Sequence, residues 1–318
     1  EGNRRVEDSS AFLTVPTARE RQGDFSRTVA QFRNPATGLL ETTPRLIFNP
    51  TPGGTTVTQL SPGQFRLNRA QFPNNVIPAG MINPTGQALV NVYPLPNIDP
   101  LNIDGTQNYF DSNVVRTNTD QMILRFDHNV NSNHRLFVRY TTDWTTNTPP
   151  DRFRGEGSNP QATQQSITRQ FVPTGTIGWT WTKSATSLFE VRANVNRLNL
   201  RNEPPGGVDT DLIGLGFAPD MVSVLQNRTF PFVVPGGGFP EMGFRFFQLQ
   251  QNFSTNYAFT GNYTKIANNW TFKMGAEYRP MMNNFNQPRV PGMIFRADEN
   301  WTRECVGPGC PALPPNRV

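Results

Sequence analysis

Between Asp120 and Thr141 apolar and polar positions alternate along the chain. Met122, Leu124 and Phe126 take turns with Ile123, Arg125 and Asp127. After a polar interval, Leu136, Val138 and Tyr140 take turns with Arg135, Phe137, Arg139 and Thr141. Side chains on a strand point to opposite faces in turn, so this pattern predicts two strands, each with one apolar and one largely charged face. The interval Asn129–His134 is rich in Asn and Ser, which tolerate turn backbone angles. The unit is a β-hairpin whose oily side needs lipid or a core.

The pattern returns twice. Phe171, Gly175, Ile177, Trp179 and Trp181 share one face of a predicted strand, with Thr174, Thr176, Gly178 and Thr180 on the other. A short turn leads to Leu188–Leu198, where Phe189, Val191, Ala193 and Val195 alternate with Glu190, Arg192, Asn194 and Asn196. In the third hairpin Tyr257, Phe259, Gly261 and Tyr263 alternate with polar residues. Beyond a turn at Ala267–Asn269, Trp270, Phe272, Met274, Ala276 and Tyr278 oppose Thr271, Lys273, Gly275, Glu277 and Arg279.

What lies between the hairpins is long and punctuated by proline and glycine, as in Pro204-Pro205-Gly206-Gly207 and Pro235-Gly236-Gly237-Gly238. One helix is expected early on, capped by Asn83, opened by Pro84 and stopped before Pro94. The chain therefore divides into three. Residues 1–116 read as a long extracellular loop segment with one short helix. Residues 117–280 read as three hairpins of a transmembrane barrel, and residues 281–318 as a further extracellular loop segment.

The expected fold class is all-β, an incomplete antiparallel transmembrane β-barrel segment with long extracellular loops. Strands of about ten residues, joined alternately by short turns and long loops, are the signature of an outer-membrane barrel. The cause is that backbone N–H and C=O groups in lipid must all pair within the protein, which only helices and closed barrels achieve. Tyr140, Trp179, Trp181, Tyr257, Tyr263, Trp270 and Tyr278 lie on the apolar faces, where an interfacial aromatic girdle would stand. A soluble β-sandwich also alternates, but charged second faces and loops of several tens of residues weigh against it. A secreted soluble β-domain is the remote alternative.

Several stretches resemble the Oar-like branch of TonB-dependent outer-membrane transporters. They are Val15-Pro16-Thr17-Ala18-Arg19-Glu20-Arg21-Gln22-Gly23-Asp24-Phe25-Ser26, Asn75–Pro84 continuing to Tyr93-Pro94-Leu95-Pro96-Asn97, the hairpin Asp120–Tyr140, and Trp270–Arg279. The resemblance implies a slice of a plugged barrel of about 22 strands. It also implies location in a Gram-negative outer membrane, with outer-membrane lipid as one partner. In that family a carboxypeptidase-regulatory-like domain and a plug precede the barrel, and the plug is driven by the TonB–ExbB–ExbD system. Neither segment nor an energy-coupling box is in this sequence, which has no initiator Met, so both ends are expected to be cut from a longer protein. The implied function is to bind an unknown substrate at the surface loops and import it. A surface binding or adhesion protein that transports nothing is the alternative.

Bulk composition changes this little. Of 318 residues only 17% are charged and 36% hydrophobic, with 29 Pro and 26 Gly, and no run approaches the length of a membrane helix. The net charge of +5 invites a nucleic-acid reading, but the basic residues are spaced through strands and never run together, so none is expected.

Candidate chemistry is sparse, and no enzymatic activity is expected. Nothing resembles a nucleophile with its base, and no cofactor motif is present. His128 and His134, at the two ends of one turn, read as solvated turn residues rather than metal ligands. Asp99, Asn102, Asp104 and Gly105 lack the closing Glu of a calcium loop and read as an ordinary turn. Cys305 and Cys310 make poor zinc evidence as a lone pair, and a loop-closing disulfide at an oxidising cell surface is the better reading. The remaining candidates are the charges expected to face the lumen: Arg125, Asp127, Arg135, Arg139, Glu190, Arg192, Lys273, Glu277 and Arg279. They would hydrate the interior or pair with the plug, and secondarily line a substrate path.

Overall fold

The computed structural model describes residues 2–152, 165–205, 207–289 and 292–310. Its main feature is one antiparallel sheet, built from β1 (Gly2–Asp8), β2 (Val114–Asn129), β3 (His134–Thr148), β4 (Ile167–Phe171), β5 (Thr174–Ser184), β6 (Ser187–Glu203), β7 (Gln250–Ala267), β8 (Trp270–Tyr278) and β9 (Met281–Asn286). The spatial order follows the chain: β1, β2, β3, then β4 and β5 in one position, β6, β7, then β8 and β9 in one position.

Two prolines cause the doubling. Val172-Pro173 separates β4 from β5 and Arg279-Pro280 separates β8 from β9, yet the register runs through both breaks. Phe171 faces Trp144 and Thr174 faces Thr141, while Tyr278 faces Phe259 and Met281 faces Asn256. A proline has no N–H to give the ladder. It still accepts, and Arg197 N–H reaches the Pro173 carbonyl at 3.0 Å, as Tyr257 N–H reaches that of Pro280.

The three hairpins predicted from alternation all form, with strands longer than their apolar runs. Their turns are tight. Asn131 Oδ1 accepts from the N–H groups of Asn133 and His134, and Asn268 adopts a left-handed φ of 52° between β7 and β8. At the other end, long connections join β3 to β4 and β6 to β7.

Short hairpins, Val29–Arg33 with Leu40–Pro44 and Thr55–Ser61 with Gln64–Arg69, form where the sequence read as loop, and so do two strands of the main sheet. Gly2–Asp8, inside the segment 1–116, pairs with Val114–Asp120, and Met281–Asn286, inside the segment 281–318, pairs with Gln251–Asn256. Neither shows a clean apolar alternation, because both lie beside the outer, polar ends of their neighbours. Pairing alone makes them strands.

The remaining chain does not trail as irregular loop. Residues between β1 and β2, between β6 and β7, and after β9 fold together around Val15, Leu89, Val92, Tyr93, Tyr109, Leu212, Phe217, Val222, Phe230 and Met242. The expected helix is present as α2 (Pro84–Val90), after α1 (Ala18–Arg21), and Asn83 Oδ1 caps it by accepting from Gly86 N–H. Among the described residues, none of the fully buried apolar side chains belongs to β1–β9. The dry core is in the loops, and the sheet keeps its oil outside.

Candidate functional site

The register sorts the sheet into two faces. On one, directly facing residues form the row Phe126, Val138, Ile177, Ala193, Phe259, Tyr278, flanked by Leu124, Tyr140, Gly175, Val195, Tyr257 on one side and His128, Leu136, Trp179, Val191, Gly261, Ala276 on the other. Among the described residues nothing covers this face: Phe126 is 67% exposed and Ile177 50%. An apolar surface of that extent in water would drive association. It is ready-made for hydrocarbon.

Aromatic rings bound the band. Beside the short turns, His134, Trp181, Phe189 and Tyr263 form one row in which neighbouring rings stack at 5.7, 5.3 and 4.3 Å. Toward the long loops, Trp144 stacks on Phe171 at 5.4 Å and Phe253 lies in the same row. His134 to Trp144, Trp181 to Phe171 and Tyr263 to Phe253 are each ten residues of strand. At ~3.4 Å per residue and a tilt near 40°, that separation is roughly 26 Å, the height of the apolar band of an outer-membrane barrel. His134 is therefore no solvated turn residue. Its ring lies parallel to Trp179, and its Nδ1 accepts from the Trp179 indole N–H at 3.1 Å. Of the aromatics expected at a girdle, Tyr278 sits in the middle row, and Tyr140, Tyr257 and Trp179 in the rows beside it, rather than at a rim.

The opposite face gathers all nine charges singled out from sequence. Arg125, Arg139, Thr176, Asn194 and Ala258 face one another in one row, and Arg279 falls at its end. The next row is Asp127, Phe137, Gly178, Arg192, Thr260, Glu277, and the one below it is Asn129, Arg135, Thr180, Glu190, Asn262, Gly275; Lys273 follows, opposite Thr264. Six cations stand among three carboxylates. Each carboxylate pairs with an arginine two residues away in sequence: Arg125 holds Asp127 with two bonds of 2.6 and 2.8 Å, Arg192 approaches Glu190 at 3.7 Å, and Arg279 contacts Glu277. Arg125 also stacks on the Phe137 ring at 4.7 Å, and Arg135 donates to Asn129 Oδ1. Such a face is wet, wide in its charge pattern and net positive.

From the first of these rows toward the long loops, the same face carries a Thr/Asn ladder that sequence reading did not single out. Asn194 donates to Thr176 Oγ1, Asn196 to Thr174 Oγ1, Asn147 to Thr117 Oγ1, and Thr168 to Asn202 Oδ1. The available signal was the run of threonines alternating with aromatics in β5. It shows polarity, but pairing partners lie on other strands.

On the loop side, the motif stretches are the joints of the packed body. Thr17 and Glu20 form a reciprocal capping box on α1, and Glu20 also accepts from the Thr28 hydroxyl at 2.8 Å. Arg21 reaches the carbonyls of Tyr93 and Pro94 at the end of α2, at 2.7 and 2.5 Å; burial holds its pKa below the ordinary arginine value. The Tyr93 phenol donates to the Pro240 carbonyl, tying two long loops together. Burial first, and the charge of Glu241 second, push its pKa upward. Asn75 is a second hub, accepting from Ile47 N–H and donating to the carbonyls of Phe25 and Arg45. Asp24 is held below the usual carboxylate range, chiefly by hydrogen bonds from Ser26 and then by Arg19.

Cys305 and Cys310 are joined in a disulfide, and Cys305–Val306 adds to the hairpin strand Gln64–Arg69. Asp104 closes an ordinary turn, accepting from Thr106 N–H and Oγ1. Among the described residues, no three His, Cys, Asp or Glu side chains group as metal ligands would.

No curated protein and no solved structure matches the chain. A family model described as outer membrane beta barrel domain matches residues 1–312, nearly the whole sequence. Its exposed oily strand faces are thereby accounted for: the protein resides in the outer membrane, and the chain belongs to the outer membrane beta barrel domain family.

Proposed function

We propose that this chain is the loop-bearing part of an Oar-like, TonB-dependent receptor that captures a substrate at its surface loops and imports it through a plugged barrel. The observation that carries this reading is the loop body. Three long connections share one core and are locked by Arg21, Tyr93 and Asn75, giving a rigid surface of the kind a receptor presents. The stretches behind the resemblance supply all three of those joints.

The nine charges of the polar face belong to the same reading as lumen residues. Six cations against three internally paired carboxylates would hydrate the interior and attract carboxylates on a plug or on an anionic substrate. Transport through TonB, ExbB and ExbD would act on the plug, not on these strands.

A photocross-linker placed on the periplasmic side of the full-length protein tests the assignment. An adduct with TonB, together with nutrient uptake that stops when TonB is deleted, is the expected result. Surface retention of nutrient with neither adduct nor TonB-dependent uptake would instead identify a binding or adhesion protein.

A further inference from the structure

On the apolar side of the sheet, at the end toward the long loops, the oily band gives way to arginine. Arg197, Asn199 and Arg201 follow one another on that face of β6, and Arg169 on β4 faces Arg201 directly. Asn199 lies in the row of Trp144, Phe171 and Phe253, so the cluster brackets the outer aromatic row. All three arginines are exposed. Like charges directly opposed across an antiparallel pair are unfavourable, so a facing Arg–Arg pair invites an anion between them.

The protein satisfies the cluster only in part. Glu203 accepts from Arg169 at 2.9 Å. The Arg201 guanidinium lies over the Phe253 ring at 5.5 Å, and Arg197 donates to Asn199 Oδ1 at 3.1 Å, reaching away from the oily rows. Among the described residues, no carboxylate pairs with Arg197 or Arg201. The lysines of the same face are elsewhere: Lys265 lies beside the short turns, donating to Thr186 and Ser187.

From this placement we propose that Arg169, Arg197 and Arg201 form a binding site for the phosphorylated headgroup of an outer-leaflet lipid. Charge complementarity and continuity with the lipid-facing band select that occupant. A headgroup phosphate sits just above acyl chains, the height of this cluster. A lipid bound there packs its chains over the row of Val195 and Tyr257 while its phosphate separates Arg169 from Arg201. Guanidinium groups suit that task because their forked donors match phosphate oxygens in pairs.

The test uses the full-length protein extracted from its membrane and exchanged into phosphatidylcholine vesicles doped with bisphosphorylated lipid A. Retention of that lipid through re-extraction is read by mass spectrometry. The Arg169→Gln/Arg197→Gln/Arg201→Gln variant should bind it roughly a hundredfold more weakly, as expected for three surface charges. Replacement of the same three by lysine should keep most of the binding, and Lys183→Gln/Lys265→Gln should match the wild type. Equal retention by the glutamine variant overturns the proposal. So does equal retention of dephosphorylated lipid A, and displacement of the lipid by millimolar inorganic phosphate would mark a soluble-anion site instead.

Discussion

The ring of Phe137 lies over Gly178, in the space that a Cβ at residue 178 would fill. The two face each other directly across β3 and β5, on the charged side of the sheet, with Arg125 stacked on the same ring. A glycine inside a strand leaves backbone bare, and a cross-strand aromatic covers it.

Gly178→Val should therefore force the ring off its seat and destabilise the fold by about 1–3 kcal/mol. The measurement is urea unfolding of the full-length protein in lipid, alone and combined with Phe137→Ala. Most of the penalty should vanish in the alanine background. A penalty of the same size with and without the ring would show that the contact is not its source.

Adjacent residues of β5 give a test of the two faces. Ile177 lies in the middle row of the oily side and Thr176 in the wet one. Ile177→Arg puts a charge near the bilayer midplane and should cost about 2–4 kcal/mol. Thr176→Arg gives up the Asn194 hydrogen bond and faces Arg139, but its charge stays in water, so it should cost no more than about 1 kcal/mol. Unfolding free energies in bilayers decide, and similar costs at both sites would remove the assignment of faces.

The Tyr93 phenol links stability of the loop body to alkaline pH. Its folded pKa is raised, so its stabilising contribution is complete below the ordinary phenol value of about 10 and is lost as pH rises above it. Amide exchange of the segments around Tyr93 and Pro240 should accelerate in that range while strand amides stay protected. Tyr93→Phe should lose the hydrogen bond at every pH, about 1 kcal/mol, and with it the alkaline slope. An unchanged slope in that variant would assign the effect to another group.

Removing the disulfide should be a local injury. The closed loop is short, with a separation of 5 residues, so Cys305→Ser/Cys310→Ser should cost about 2 kcal/mol. Cys305–Val306 would then leave the strand Gln64–Arg69, and the amides of Leu67 and Arg69, which face it, should lose protection. Loss of protection spreading into β6 and β7 would contradict this picture.

Period-two alternation is local, and a sequence carries it in full. It determined the three hairpins, the oily side of each strand and the common side of Arg125, Arg192 and Glu277, because a pleat sends neighbours to opposite faces whatever lies beside them. Asn83-Pro84 likewise determined the start of α2 through its own cap. Which residues meet across strands was not legible. Arg169 opposite Arg201, or Phe137 over Gly178, depends on register, which sequence distance does not encode. Gly2–Asp8 became a strand only by pairing with Val114–Asp120. The loop core was hidden for the same reason: Val15, Tyr93, Leu212 and Phe230 follow no period, and only folding brings them into one dry cluster.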